Sequence, residues 1–117
     1  MTQHEVRMIV LSTDNLDDSI RFYTEAFGFP LKFRDGDHYA ALDGGNVTLA
    51  LATSLDHPIP GQVVVGIRSS DVNGSASILE EGGGAIAKGP YDDAHERRVV
   101  GYDSKGNGLV IYAPLPR

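Results

Sequence analysis

The sequence predicts an α+β domain in which two strand–helix–three-strand (βαβββ) modules form curved mixed sheets around a cleft. The same order of elements occurs in residues 4–53 and again in residues 62–114, and residues 54–61 between them form a linker rich in turn residues. At 117 residues, of which 41% are hydrophobic and 22% charged, the chain has the size and composition of one globular domain. Neither module is large enough to bury a core alone, so we expect the two to share one structure.

The first module begins with a strand at residues 6–12, a short β-branched run bounded by polar residues. A helix is predicted next, because Asn15 is a suitable N-cap with Asp18 three positions later. Apolar residues then repeat with helical spacing at Leu16, Ile20, Tyr23 and Phe27. Gly28 stands where a left-handed residue ends a helix. Three strands follow, separated by glycine-containing turns, at residues 29–34, 39–42 and 47–52.

The second module repeats this order with weaker signals. A strand is predicted at residues 63–67 and a helix at residues 71–81, which Gly82, Gly83 and Gly84 end. A short strand at residues 85–88 precedes two strands, 97–102 and 109–113, that flank a turn at residues 104–107. We therefore expect the last two strands to form a hairpin.

Charge and composition exclude several classes of function. Sixteen acidic residues against ten basic give a net charge of −6, so nucleic acid is not an expected partner. The chain has no cysteine, which excludes disulfides, thiol catalysis, iron–sulfur clusters and thiolate zinc sites. No apolar run approaches the roughly 20 residues that span a bilayer, and the first residues do not have the pattern of a signal peptide. We expect a cytoplasmic protein without a membrane partner.

Two motifs suggest a family. One is residues 15–23, NLDDSIRFY, followed by Phe27-Gly28-Phe29, and the other is residues 102–109, YDSKGNGL. Together they resemble the vicinal oxygen chelate superfamily, which includes glyoxalase I, bleomycin-resistance proteins, fosfomycin-resistance enzymes and extradiol dioxygenases. Ser104 and Lys105 depart from the Asp-Pro-Asp-Gly-Asn hairpin of that family. The resemblance spans nearly the whole chain and implies the paired-module fold. Its motifs lie at a helix start and a turn, away from the residues that carry the family's chemistry.

The resemblance also implies a divalent metal, held by one His or Glu on the first and last strand of each module. The matching positions in this sequence are Met8, Ala50, Gln62 and Val110. They offer one thioether and one amide, whereas such metals need oxygen and nitrogen donors, usually three or more. A shift of one residue along any of these strands brings in only other non-ligands. We therefore expect no metal and no cofactor.

Strand alternation divides the strand residues between two faces. Facing the helices and the core we expect Ile9, Leu11, Leu49, Leu51, Val63, Val65, Ile67, Leu109 and Ile111. Facing the cleft and binding the ligand we expect Met8, Val10, Thr48, Ala50, Gln62, Val64, Arg68, Val110 and Tyr112. Arg68 is suited to a ligand carboxylate or phosphate, although an ion pair with an aspartate at the sheet edge is an equal alternative. Because alternate residues of a strand face opposite sides, one of the adjacent residues Arg97 and Arg98 must face the cleft. The sequence does not show which of the two it is.

The histidines give no clear active site, and no catalytic residue is assigned. His4 is expected to be solvated near a mobile terminus, His38 to lie on the surface beside a turn, and His57 to be a loop residue. His95 precedes Glu96, but no second histidine follows at the spacing of a zinc helix. A base for metal-independent catalysis would have to be Tyr112, or His38 if its loop folds inward.

These observations lead to one preferred function and two alternatives. The preferred one is a metal-free protein of the bleomycin-resistance type that binds a drug or metabolite by shape and apolar surface. The first alternative is a glyoxalase-, isomerase-, lyase- or dioxygenase-like enzyme of the same superfamily, acting on a small oxygenated substrate. The second is a regulatory or structural partner. In each case we expect a homodimer, because open sheet edges invite pairing and relatives commonly close the cleft in this way.

Overall fold

The computed structural model describes residues 2–116, which form two successive βαβββ modules. The elements are β1 (His4–Ser12), α1 (Leu16–Phe27), β2 (Leu31–Asp35), β3 (Tyr39–Asp43), β4 (Thr48–Ala52), β5 (Val64–Ser69), α2 (Val72–Glu81), β6 (Ala85–Asp92), β7 (Glu96–Tyr102) and β8 (Gly108–Pro114). The predicted α+β class and the repeated order of elements are confirmed.

The chain divides into two compact units. One is Arg7–Val64, and the other joins the residues up to Val6 with those from Val65 onward. In the first unit the strand order is β2-β3-β4-β1, with β1 parallel to β4 and the other pairs antiparallel. In the second the order is β5-β8-β7-β6, with β5 parallel to β8 and the other pairs antiparallel. The strands are therefore mixed in each unit, as predicted.

Helix α1 begins and ends as its sequence predicts. The Asn15 side chain accepts a hydrogen bond from the Asp18 backbone N–H at 3.1 Å, which satisfies one of the free donors of the first turn. Gly28 ends the helix with a φ of 72°, in the left-handed region where a Cβ is disfavoured. The buried face of α1 packs against β3 and β4, in a core that comprises Leu16, Ala40, Leu42 and Leu51.

Helix α2 covers the other unit in the same way. Its N-cap is Asp71, whose side chain accepts from the Gly74 backbone N–H at 3.0 Å. The core beneath it comprises Val72, Ala76, Val99 and Ile111, with Ile67, Leu79, Ile86, Leu109 and Ala113 packed against them. The predicted core positions on β8 are therefore confirmed.

Two predicted core residues of β5 are wrong. Val63 is 62% exposed and Val65 is 37% exposed. Val63 precedes the first residue of the strand, so alternation does not govern its direction. Val65 is near the start of β5, whereas Ile67 is the β5 residue packed in the core beneath α2.

Strand β6 is longer than predicted. The Gly89-Pro90 dipeptide indicates a turn, yet the strand continues through it to Asp92 with register shifts on either side of Lys88. The Gly89-Pro90 peptide bond is cis. The turn between β7 and β8 lies where predicted, and Asp103 accepts hydrogen bonds there from the backbone N–H groups of Lys105 and Asn107. Within residues 2–116 no helix is long and apolar enough to cross a bilayer.

Candidate functional site

The four positions that match the family's metal ligands do not fit a metal. Ala50 and Val110 are buried aliphatic side chains, 0% and 2% exposed. The Met8 sulfur lies 3.8 Å from the Tyr39 hydroxyl, which donates to it. Gln62 is exposed and supplies the one amide of the set. A single amide oxygen and a thioether do not hold a divalent cation that needs three or more hard donors.

The predicted ligand-binding residues differ in accessibility. Met8, Thr48 and Tyr112 are half-buried, and Gln62 and Arg68 are exposed. The aliphatic members are no more than 3% exposed, and they are Val10, Ala50, Val64 and Val110. In this structure these four side chains are inaccessible, whereas the other five expose at least part of their surface.

In the unit from Val65 onward, strand register aligns two arginines and two tyrosines. Arg68 lies opposite Tyr112, Tyr112 opposite Arg98, and Arg98 opposite Tyr91, on four neighbouring strands. Residues opposite one another share a face of a sheet. Because Ile111 packs in the core beneath α2, the alternate residue Tyr112 faces away from that helix. We call Arg68, Tyr112, Arg98 and Tyr91 the arginine–tyrosine row.

The register also distinguishes the two adjacent arginines, which sequence alone leaves open. Arg98 belongs to the row, whereas Arg97 is on the α2 side, where its Nε donates to Asn73 Oδ1 at 2.9 Å. Arg97 also pairs with Asp92 at 2.9 Å. Of the two, Arg98 is therefore the one that shares a face with Tyr112.

Arg98 has two carboxylate partners, but one of its N–H donors lacks a described acceptor. Its guanidinium pairs with Glu96 at 2.5 Å and with Asp93 at 3.3 Å. Burial lowers the pKa of Arg98, but the interactions with Glu96 and Tyr91 together outweigh that effect and raise the pKa above its usual value. Its Nε is buried and has no hydrogen-bond acceptor among the described residues.

Arg68 differs from Arg98 in two respects: the exposure of its side chain and the absence of a described carboxylate partner. It is exposed, and within residues 2–116 it forms no ion pair with a carboxylate, so the alternative of an aspartate partner is not seen there. At the other end of the row, Lys88 Nζ lies 4.3 Å from the centre of the Tyr91 ring. The row thus combines two aromatic rings with two arginines, of which Arg68 is not neutralised by a described carboxylate.

His38 is partly exposed, as predicted, but it lies between two carboxylates. Its Nδ1 is 2.5 Å from Asp56 Oδ2 and its Nε2 is 3.8 Å from Asp35 Oδ1. The hydrogen bond to Asp56 raises the pKa of His38. Asp35, His38 and Asp56 each offer one ligand atom within 4.8 Å of the others. A metal ion at this group would have to compete with the proton that Asp56 helps His38 to hold.

His57 is buried, which its position in the linker did not indicate. Its Nδ1 accepts from the Ile59 backbone N–H at 2.9 Å, so Nε2 carries the hydrogen and faces the Val10 carbonyl oxygen at 3.4 Å. Burial lowers the pKa of His57. His4 is exposed, as predicted, but it belongs to β1 and its Nε2 lies 2.8 Å from Ser75 Oγ.

We expect His38 and His57 to titrate on opposite sides of 6.5, the ordinary histidine pKa. His38 binds its proton more tightly when folded, so it adds stability below pH 6.5 that is lost as pH rises through its folded pKa. His57 remains neutral when folded while the unfolded chain takes up a proton, so its effect is to lower stability as pH falls below 6.5. NMR titration of the ring signals measures both values, with His38→Asn and His57→Asn used for assignment. Two titrations on the same side of 6.5 would contradict the geometry described above.

A surface pocket of about 600 Å³ lies in the unit Arg7–Val64. Two of its hydroxyl groups already have partners: Ser12 Oγ accepts from Gly61 N–H at 2.9 Å, and Thr13 Oγ1 is 2.6 Å from Ser19 Oγ. No local motif predicts this pocket, because the linker that lines it packs against strand ends that are far from it in the chain. The lining residues are Ser12, Thr13, Asp14, Thr53, Ser54, Pro60 and Gly61.

The fold and the strand-end positions define a class of protein: a vicinal oxygen chelate-like domain with two βαβββ modules. Comparison with known families agrees. Residues 5–111 match the model of the Glyoxalase/Bleomycin resistance protein/Dioxygenase superfamily, and the chain belongs to that superfamily.

Known relatives support the fold over the whole chain. An uncharacterised protein of Mycolicibacterium smegmatis is 69% identical over 117 residues, covering 100% of both chains. Methylmalonyl-CoA epimerase from Mycobacterium tuberculosis is similar in structure, with a TM-score of 0.72 at 17% identity, over 95% of this chain and 88% of that one. A superfamily member from Vibrio splendidus has a TM-score of 0.65 at 16% identity, over 96% and 98%. At such identities the structural similarity shows the fold alone.

Proposed function

We propose that this protein binds a small organic molecule, a drug or metabolite, without a metal, as proteins of the bleomycin-resistance type do. The observation that carries the proposal is the donor set at Met8, Ala50, Gln62 and Val110, which has no His, Asp or Glu. A domain of this superfamily without those ligands retains a folded scaffold on which a guest can be held by burial and a few directional groups.

The accessible groups suit such a role. Arg68 and Gln62 are exposed polar residues of the predicted set, and Tyr112 is a half-buried aromatic residue beside Arg68 in the strand register. An arginine provides two parallel donors for an anionic group, and an aromatic ring provides apolar surface with little loss of side-chain entropy.

The test is a thermal-shift screen of the dialysed protein against antibiotics, metabolites and divalent metals. A guest that binds the folded state at a hundredfold excess over its Kd adds about 2.7 kcal/mol, and we expect at least one organic compound to do so while metals do not. Elemental analysis should find no stoichiometric divalent ion. One equivalent of zinc, nickel, iron or manganese would contradict the proposal, and its loss in His38→Asn would locate it at the Asp35–His38–Asp56 group.

A second candidate is an enzyme of the superfamily, glyoxalase-, isomerase-, lyase- or dioxygenase-like, acting on a small oxygenated substrate. The observation that favours it is His38, a partly exposed imidazole whose pKa is raised by Asp56. A protonated histidine serves as a general acid. Turnover of any screened binder, followed by NMR and lost in His38→Asn, would select this candidate over simple binding.

We also propose that the protein is a homodimer. Strand β2 ends the strand order of its unit and is exposed along its whole length. Large apolar side chains of β2 and of α1, in the same unit, are also exposed: Leu31, Phe33, Phe22 and Phe27. An exposed edge with apolar neighbours favours association of two chains. A cytoplasmic location stays a prediction.

Light scattering tests the homodimer. We expect a mass of twice 12.5 kDa for the wild type and a shift towards the monomer in Phe33→Lys, which places a charge on the β2 edge. The control is Val6→Lys, an equally exposed apolar residue of the other unit. A wild-type mass near 12.5 kDa at micromolar concentration would contradict the proposal.

A further inference from the structure

The two arginines of the arginine–tyrosine row have donors without a described acceptor. Arg68 forms no ion pair with any carboxylate of residues 2–116, and Arg98 Nε has no acceptor among those residues. By contrast, Arg97 on the α2 side bonds to Asn73 and Asp92. In a chain of net charge −6, an exposed arginine without a described carboxylate partner is a local excess of positive charge. An anionic ligand at Arg68 would supply the acceptor that this exposed guanidinium lacks.

The size of the excess charge favours a monoanion. Arg98 is already paired with Glu96 and Asp93, so Arg68 is the one cation of the row without a described carboxylate partner. A phosphate dianion above the row would bring a second negative charge towards those two carboxylates. A carboxylate carries one charge and matches the two parallel N–H groups of a guanidinium.

The aromatic residues favour a planar group next to that carboxylate. Tyr112 lies opposite Arg68 on the adjacent strand, about 4.8 Å away in the hydrogen-bonding direction. An aryl carboxylate spans such a separation, with its charged group at Arg68 and its ring over the tyrosine. Aromatic pairs gain beyond their buried area when offset or edge-to-face.

We propose that the ligand is an aromatic carboxylate, with its carboxylate on Arg68 and its ring against Tyr112. This proposal rests on the proposed function, because it names the ligand class for the same small-molecule site. It places recognition in the unit from Val65 onward, on residues that the described structure leaves accessible.

The experiment uses 2-naphthoate as the probe, with 2-naphthamide as its neutral equivalent, a saturated bicyclic carboxylate as its non-aromatic equivalent, and inorganic phosphate. Binding to the full-length protein is measured by calorimetry and by NMR shift changes. Arg68→Gln removes the charge on the row, and Arg97→Gln is the matched control on the opposite face of the sheet. Thermal melts of both variants confirm that they are folded.

We expect 2-naphthoate to bind, and its Kd to rise about tenfold or more in Arg68→Gln, since charged hydrogen bonds are lost. Arg97→Gln should leave the Kd unchanged. The naphthamide should bind about tenfold more weakly, and the saturated acid about fivefold more weakly. Equal binding of the amide, stronger binding of phosphate, or an unchanged Kd in Arg68→Gln would overturn the assignment.

The outcomes also separate this inference from the proposed function. If neutral compounds of the screen bind and 2-naphthoate does not, small-molecule binding stands and the aromatic carboxylate is wrong. If no compound of any class binds the folded protein, the proposed function itself fails.

Discussion

Replacing Gly101 by alanine is expected to lower the free energy of unfolding by about 3 kcal/mol, at the upper end of the range for overpacking. A Cβ at this position would lie 2.4 Å from the Ala85 carbonyl oxygen and 2.9 Å from Leu79 Cδ2. The first of these atoms belongs to the backbone of β6, the strand paired with β7, so it cannot move away by a change of rotamer. The strands must separate or the helix must shift.

The control is Gly106→Ala, in the turn that joins β7 to β8. No heavy atom lies within 4 Å of a Cβ built at Gly106, so the substitution costs only the left-handed backbone, φ 87°, about 1 kcal/mol. Urea denaturation of both variants measures the difference. A Gly101→Ala protein no less stable than Gly106→Ala would show that β6 and β7 are not packed as closely as described.

The fold was predictable because its signals are local. Asn15 and Gly28 determine where α1 begins and ends through their own side-chain and backbone chemistry, and both predictions are confirmed. Alternation located Leu51 and Ile111 in the cores for the same reason. It failed at Val63, because the residue lies outside the strand, and strand boundaries are the least certain part of such a prediction.

The site was less predictable, because it depends on pairing between distant strands. Arg97 and Arg98 are equivalent until the register of β7 against β8 places Arg98 opposite Tyr112. The pair of His38 and Asp56 joins residues 18 positions apart, through a turn that no local motif specifies. Strand alternation predicted that Arg68 lies on the ligand face. Whether a carboxylate neutralises Arg68 depends on the tertiary structure, because such a partner need not be close in the sequence.

Sequence reasoning also cannot tell a lining residue from a buried one. Strand alternation places Ala50 on the face of β4 opposite α1. A small residue on that face suggests room for a guest molecule. In the structure Ala50 is 0% exposed, with Val10 and Ala41 as its neighbours on β1 and β3. The space beside Ala50 is therefore already filled.

Ala50→Trp is accordingly expected to destabilise the protein, by about 3 kcal/mol or more, instead of merely blocking a pocket. An indole has no room at a fully buried alanine between two paired strands, and overpacking of this size forces backbone shifts. Thermal and urea denaturation measure the loss. The matched control is Ala26→Trp, the same substitution at an exposed position of α1 in the same unit, where helix propensity predicts a cost of about 0.5 kcal/mol.

The result decides whether the aliphatic residues of the predicted set can reach a ligand. If Ala50→Trp lowers the unfolding midpoint far more than Ala26→Trp, the face with Ala50 is closed and recognition falls to accessible groups such as Arg68. If the two variants have the same midpoint, that face opens in solution. Ala50 would then return to the residues available to a guest, and loss of ligand binding in the folded Ala50→Trp protein would place the guest there.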